Sequence, residues 1–212
     1  MPEKIPEIKI CGLTRLEEAD YVADAGADYA GFVMYYPKSK RNVYPHTVIP
    51  IKERLKKLNP RIKTVAVTVS PTLEQLEAVE RMGFDFIQIH GELRKEVVQR
   101  ATIPILRAYN IEDKVETEHL MQEPKIFGVV FDGKIPGNGE TFDWSLLSGF
   151  QRNHKRLMLA GGLNVENVNR AIREVVPDIV DVSSSVEKDC DQFCGKDEEK
   201  IKAFVTAVRR TK

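Results

Sequence analysis

The sequence carries no surplus of charge: 32 Lys and Arg balance 32 Asp and Glu over 212 residues. Proteins that hold nucleic acid or lie on membranes usually carry a basic excess, so neither partner is expected. An anionic ligand would have to be held by local cations and backbone N–H groups. No apolar run approaches the ~20 residues of a membrane helix, and the opening "MPEKIPEIKI" lacks the apolar segment of a signal peptide. Cysteine is scarce. Cys11, Cys190 and Cys194 are too few, and odd in number, for a disulfide framework, which points to a reducing compartment and a cytoplasmic protein. "CDQFC" (190–194) has no second Cys or His pair to complete a zinc site. "PGNG" (136–139) and the "GK" pairs make no Walker loop.

What is present is an alternation of short apolar runs and helical patterns. Candidate strands are 7–12, 29–34, 63–69, 86–91, 103–109, 126–133, 156–162 and 178–185. Several lack polar alternation, as parallel strands covered on both faces do. Between them, Thr14 with Glu17 reads as a capping box opening a helix to about Ala25. Ser70 or Thr72 caps "LEQLEAVERM", and Asn164 caps "VENVNRAIREV". Ile201, Phe204, Val205 and Val208 share one face of a final helix. The helical pattern is weakest after the fifth and sixth strands.

An internal echo runs through the chain. "GADYAGFV" (26–33) and "GFDFIQI" (83–89) each give a glycine after a helix, a linking residue, Asp, then a strand. "VPDIVDV" (176–182) repeats the pattern with Pro in the glycine's place. A β-α unit repeated eight times in about 200 residues predicts an α/β fold, a single-domain (β/α)₈ barrel over 1–212. An open doubly wound sheet is the alternative, with fewer strands.

In such a barrel the chemistry sits at the C-terminal ends of the strands. Those positions are Cys11, the "KSKR" loop (38–41), His90, Arg107, Asp132, Gly161-Gly162 and Ser183-Ser184-Ser185. "AGGLN" and "SSS", after the seventh and eighth strands, suit a phosphate held by backbone N–H groups and hydroxyls. The "YYPKSKR" loop offers aromatics and cations to an aromatic acid, although such loops are more often solvated. Cys11 is either a small core filler or a base whose thiolate the helix opening after Thr14 would favour. Asp132 would act as a general acid only if its surroundings held its proton towards neutrality. His90 and Arg107 read equally well as structural.

These stretches together resemble the phosphoribosylanthranilate isomerase family. The resemblance runs from "IKICGLTRLEEADYVADAGADYAGFVM" through "QIHG" and "GETFDW" to "LAGGLNVENV" and "DVSSSVE". It implies a (β/α)₈ barrel that needs no metal or organic cofactor and takes a small phosphosugar substrate. The implied reaction is an Amadori rearrangement of N-(5-phosphoribosyl)anthranilate. By resemblance Cys11 is the general base, Asp132 the general acid, and Arg41 the partner of the anthranilate carboxylate. The phosphate falls to Gly161, Gly162, Ser184 and Ser185. The chain departs from the family with "SKR" for the usual "SPR", Ser185 for a usual glycine, and "FCGKD" for the usual "PG" near "KD". Monomer and homodimer both stay open.

Overall fold

A computed structural model describes residues 5–110, 123–133, 141–147, 149–150, 152 and 154–211. Eight parallel strands form a closed barrel. They are β1 (Glu7–Cys11), β2 (Tyr29–Met34), β3 (Lys63–Val69), β4 (Phe86–His90), β5 (Ile105–Asn110), β6 (Ile126–Asp132), β7 (Arg156–Leu159) and β8 (Ile179–Val182). Each pairs with its neighbours in chain order, and β1 pairs with both β2 and β8, which closes the ring. A two-residue strand, Asn42–Val43, adds to β2 beside the barrel.

The helices are α1 (Glu18–Ala25), α2 (Pro45–Leu58), α3 (Leu73–Arg81), α4 (Lys95–Arg100), α5 (Val168–Val175) and α6 (Glu198–Arg209). A 3₁₀ turn, Trp144–Leu147, follows β6. Residues 111–122, where the helical pattern after β5 is weakest, and "PGNG" lie outside the described residues. None of the described helices is long and apolar enough to cross a membrane.

Alternate residues of each strand face opposite ways. One set, with Ile8, Ile10, Ala30, Phe32, Ile87, Ile89, Val129 and Phe131, packs beneath the helices. The other set, with Cys11, Tyr29, Val65, Val67, Phe86, Leu106, Val130 and Met158, fills the barrel. That double burial explains the missing polar alternation. Tyr29, Phe86 and Phe127 form a chain of ring contacts at 5.9 and 5.0 Å that plugs the floor. In α6, Ile201, Phe204, Val205 and Val208 are all buried, as their spacing predicts, each contributing roughly 1.5–3 kcal/mol.

The Gly-x-Asp echo has a mechanical role. Asp28 accepts a hydrogen bond from Ile8 N–H (2.8 Å), Asp85 from Thr64 N–H (2.8 Å) and Asp178 from Leu157 N–H (3.0 Å). Each Asp N–H donates to the carbonyl of that same residue. Each carboxylate therefore brackets the start of the preceding strand. Gly26 and Gly83 take positive φ before two of these brackets, and in the third it is Val176 (φ 51°) that does so. Pro177 is therefore not in the glycine's place, as the sequence pattern had it: Val176 stands where Gly26 and Gly83 stand, two residues before its Asp, and Pro177 fills the linking position. The ring of proline fixes φ negative, which the linking position accepts, and the left-handed turn keeps its place two residues before the Asp.

Three further expectations are corrected. Thr72 and Gln75 form a complete capping box on α3, but Thr14 and Glu17 do not form one. Helix α1 starts only at Glu18, whose carboxylate turns back to accept from Thr14 N–H (2.6 Å) and Arg15 N–H (3.1 Å). Asn164 Oδ1 accepts from Glu166 and Asn167 N–H, but it caps a turn that precedes α5 rather than the helix itself. Cys190 and Cys194 are joined in a disulfide, which leaves Cys11 as the free cysteine.

Candidate active site

The C-terminal ends of the strands surround a cavity of about 680 Å³. Cys11 from β1, Arg41 from the loop after β2, Asp132 from β6, Gly161 and Gly162 after β7, and Ser184 after β8 all border it. So do His90 and Arg107. The seventh candidate from the resemblance, Ser185, is not in the cavity wall: its hydroxyl donates to Leu163 O (2.6 Å), tying the loops after β7 and β8 together.

Cys11 ends β1 with its carbonyl accepting from Ser183 Oγ (2.9 Å). The start of α1 at Glu18 corrects the expectation that a helix terminus favours its thiolate, since that effect fades within a turn. Burial pushes the Cys11 thiol up, and the nearby Lys9 ammonium pulls against it. Gly12 follows with φ +82°, and a Cβ there would lie 2.6 Å from Arg41 Cδ. Glycine at this position admits the arginine.

Arg41 is buried, and its Nε donates to Glu187 Oε1 at 2.5 Å. The same Glu187 carboxylate takes Lys40 Nζ (2.9 Å) and Lys196 Nζ (3.4 Å). The hydrogen bond from Arg41, with Lys196 and Lys40 beside it, holds Glu187 below the usual carboxylate range against the opposing effect of burial. Arg41 Nη2 is buried and has no hydrogen-bond partner among the described residues. A guanidinium fixed on one side and open on the other suits a bound carboxylate.

Asp132 closes β6, and its Oδ1 accepts from Gly133 N–H (2.8 Å). Burial pushes its pKa up to about 6. It therefore keeps its proton in weakly acidic solution, where an ordinary aspartate is ionised.

Gly161 has φ +80°, and a Cβ on it would stand 2.5 Å from Gly133 N and 3.0 Å from Asp132 Oδ1. This glycine is thus required by the meeting of two loops. His90 Nε2 lies 2.8 Å from the Gln88 side-chain nitrogen. Burial, with Lys9 and Arg107 nearby, lowers its pKa to about 4, so the ring is neutral. Arg107 Nη1 donates to Ile89 O (3.1 Å) and its guanidinium lies 4.8 Å from the Tyr109 ring centre.

Sequence reasoning missed Lys9, Asp181, Glu187 and Lys196. Lys9 and Asp181 sit inside apolar strands, where a lone charge reads as solvent-facing. The signal was available in period two: Lys9 is two residues before Cys11, on the same face. Glu187 and Lys196 face each other across one isolated antiparallel bridge, which carries no strand pattern in the sequence.

Comparison with known proteins identifies the family. The family model described as N-(5'phosphoribosyl)anthranilate (PRA) isomerase matches residues 8–207. The N-(5'-phosphoribosyl)anthranilate isomerase of Streptococcus mutans is 38% identical over 206 residues, covering 96% of this chain and 99% of that protein. The crystal structure of phosphoribosyl anthranilate isomerase from Thermotoga maritima superposes with a TM-score of 0.82 at 34% identity, over 96% of this chain and 98% of that one. Another structure of the enzyme, in complex with reduced 1-(o-carboxyphenylamino)-1-deoxyribulose 5-phosphate, gives a TM-score of 0.79 at 33% identity, over 96% and 98% of the two chains. With barrel, cavity and relatives in agreement along nearly its whole length, the chain belongs to the N-(5'-phosphoribosyl)anthranilate isomerase family.

Proposed function

We propose that this chain isomerises N-(5-phosphoribosyl)anthranilate to 1-(2-carboxyphenylamino)-1-deoxyribulose 5-phosphate, with Asp132 as general acid and Cys11 as general base. The observation that carries the assignment is that both side chains border one cavity, Cys11 from β1 and Asp132 from β6. Asp132 protonates the furanose ring oxygen as the C1–O bond breaks, and the nitrogen lone pair forms the Schiff base. The cationic nitrogen acidifies the C2–H bond. The Cys11 thiolate takes that proton, and the electron pair moves to form the enolamine. The enolamine gains a proton at C1 and loses the one on its C2 hydroxyl, which gives the ketose.

The open Nη2 of Arg41 supports its pairing with the anthranilate carboxylate. The phosphate is assigned to Gly161, Gly162, Ser184 and Ser185, with Ser185 acting through its backbone, since its hydroxyl is engaged by Leu163. A relative in complex with the reduced ketose supports the substrate class. The work belongs to tryptophan biosynthesis, in the cytoplasm, in a single barrel domain that acts as a monomer or homodimer.

The test is turnover of the anthranilate substrate, followed by the spectrum of its aminobenzoate ring, beside the histidine-pathway aldose analogue. Conversion of the first and not the second is expected. Cys11→Ser and Asp132→Asn should each lower kcat by at least about 100-fold with the fold intact. Binding without conversion, or full activity in either variant, overturns the proposal.

A further inference from the structure

Lys9 is a fully buried cation inside the barrel that the reaction above does not use. It faces inward two residues before Cys11, with its register partners Tyr29 on β2 and Asp181 on β8. Its Nζ lies 2.8 Å from Asp181 Oδ2. The other carboxylate oxygen of Asp181 is buried with no hydrogen-bond partner among the described residues, and the residue borders the cavity. Gly31, opposite Cys11, leaves the room both side chains occupy: a Cβ there would stand 2.9 Å from Cys11 Sγ and 3.1 Å from Lys9 Cε. Thiol and amine stem thus share one niche over a glycine.

We propose that Lys9, anchored by Asp181, is a positioning residue whose ammonium is the fixed counter-ion of the Cys11 thiolate. The inference rests on the reading of Cys11 as the base. A thiolate in a closed barrel loses its hydration and needs a compensating charge. The groups that act electrostatically on Cys11 are Lys9 from its own strand, Asp181 from β8, and Lys196 from the segment before α6. Across the cavity stand Asp132 from β6, Arg41 from the loop after β2, His90 from β4 and Arg107 from β5. Lys196 is committed to Ser183 O (2.9 Å) and Glu187, and Arg41 to Glu187. Asp181 holds Lys9 in its charged form, against the opposing effect of burial. The thiol proton departs to water in the cavity, leaving a thiolate and an ammonium side by side, and no redox partner is involved.

A purely structural ion pair would tie β1 to β8 and leave the thiol unaffected. The deciding experiment is the pH dependence of Cys11 alkylation by iodoacetamide in the full chain, read on the Cys11 peptide by mass spectrometry. In Lys9→Met the midpoint should rise by at least about one pH unit, which is a tenfold loss of thiolate. kcat should fall about tenfold with KM within about threefold, and Lys9→Arg should restore the wild-type midpoint. A folded Lys9→Met with an unchanged midpoint overturns the proposal. If Lys9→Met does not fold, Lys9→Gln, which keeps a polar neighbour for Asp181 without the positive charge, is read in its place, with the same two outcomes. Failure of the base assignment is distinguishable: full turnover in Cys11→Ser would end that assignment, whereas the alkylation midpoint reads the Lys9–Cys11 coupling whether or not Cys11 takes the substrate proton.

Discussion

Gly161 and Asp132 are complementary in shape: the missing side chain of the first is the space in which the carboxylate of the second lies, 3.0 Å from where a Cβ would stand. Gly161→Ala would also force Cβ to 2.5 Å from Gly133 N at φ +80°. The expected outcome is loss of about 2 kcal/mol or more of stability and displacement of Asp132. Thermal unfolding and kcat should fall together, and Gly162→Ala gives the comparison for a second left-handed glycine (φ 62°).

The pH profile follows from the order of the two pKa values. Asp132 titrates near 6, and the thiol of Cys11 lies above its ordinary value. The reactive state, thiolate with carboxylic acid, is then a minor form whose population rises with pH up to about 6, stays level, and falls once the thiol titrates. kcat/KM should follow that shape, because it reports the free enzyme. A limb near 6 that survives in the residual activity of Asp132→Asn would remove Asp132 from the profile.

Asp132 also carries a stability cost with a definite sign. Its folded pKa is raised from 3.8 to about 6, so the native state binds the extra proton and stability is lost as pH rises through that window. Asp132→Asn should therefore unfold at a higher temperature than the parent at pH 7.5, by about 1–3 kcal/mol, and should show little difference at pH 4. Calorimetry at the two values checks it.

Arg41 depends on Glu187 for its orientation. Arg41→Ala should raise KM by roughly 10- to 100-fold, the worth of a charge-assisted hydrogen bond. Glu187→Gln leaves Arg41 and Lys196 without a counter-charge and should cost about 3 kcal/mol while also raising KM. Unchanged KM in both variants would place the substrate carboxylate elsewhere.

The thiol count is equally direct. Denatured without reductant, the chain should take up one iodoacetamide label, on Cys11, and three after reduction, because Cys190 and Cys194 are paired. Three labels without reductant would refute the pairing.

The barrel was legible because its signals are local. Gly26 and Gly83 mark helix ends, Asp28 and Asp85 mark strand starts, and the apolar runs between them are buried on both faces. The candidate residues Cys11, Arg41, Asp132 and Gly161 were legible as strand ends and mouth loops, and one cavity gathers them. What the sequence hid depends on contacts between distant segments. Glu18, read as part of a helix, is buried and also accepts from Lys196 N–H at 2.6 Å, a contact across 178 positions. The Glu187 hub likewise reaches back to Arg41 across 146 positions. The disulfide joins residues only four apart, yet their Cα atoms had to be brought to 6.7 Å by the fold of that segment.

The three aspartate brackets lie at the opposite end of the strands from the cavity. Severing or exchanging a loop at the mouth leaves every bracket intact, whereas a cut between Gly26 and Asp28 or between Gly83 and Asp85 would break one. New termini, grafted loops and altered ligand preference are thus compatible with assembly at one rim of this molecule and incompatible with it at the other.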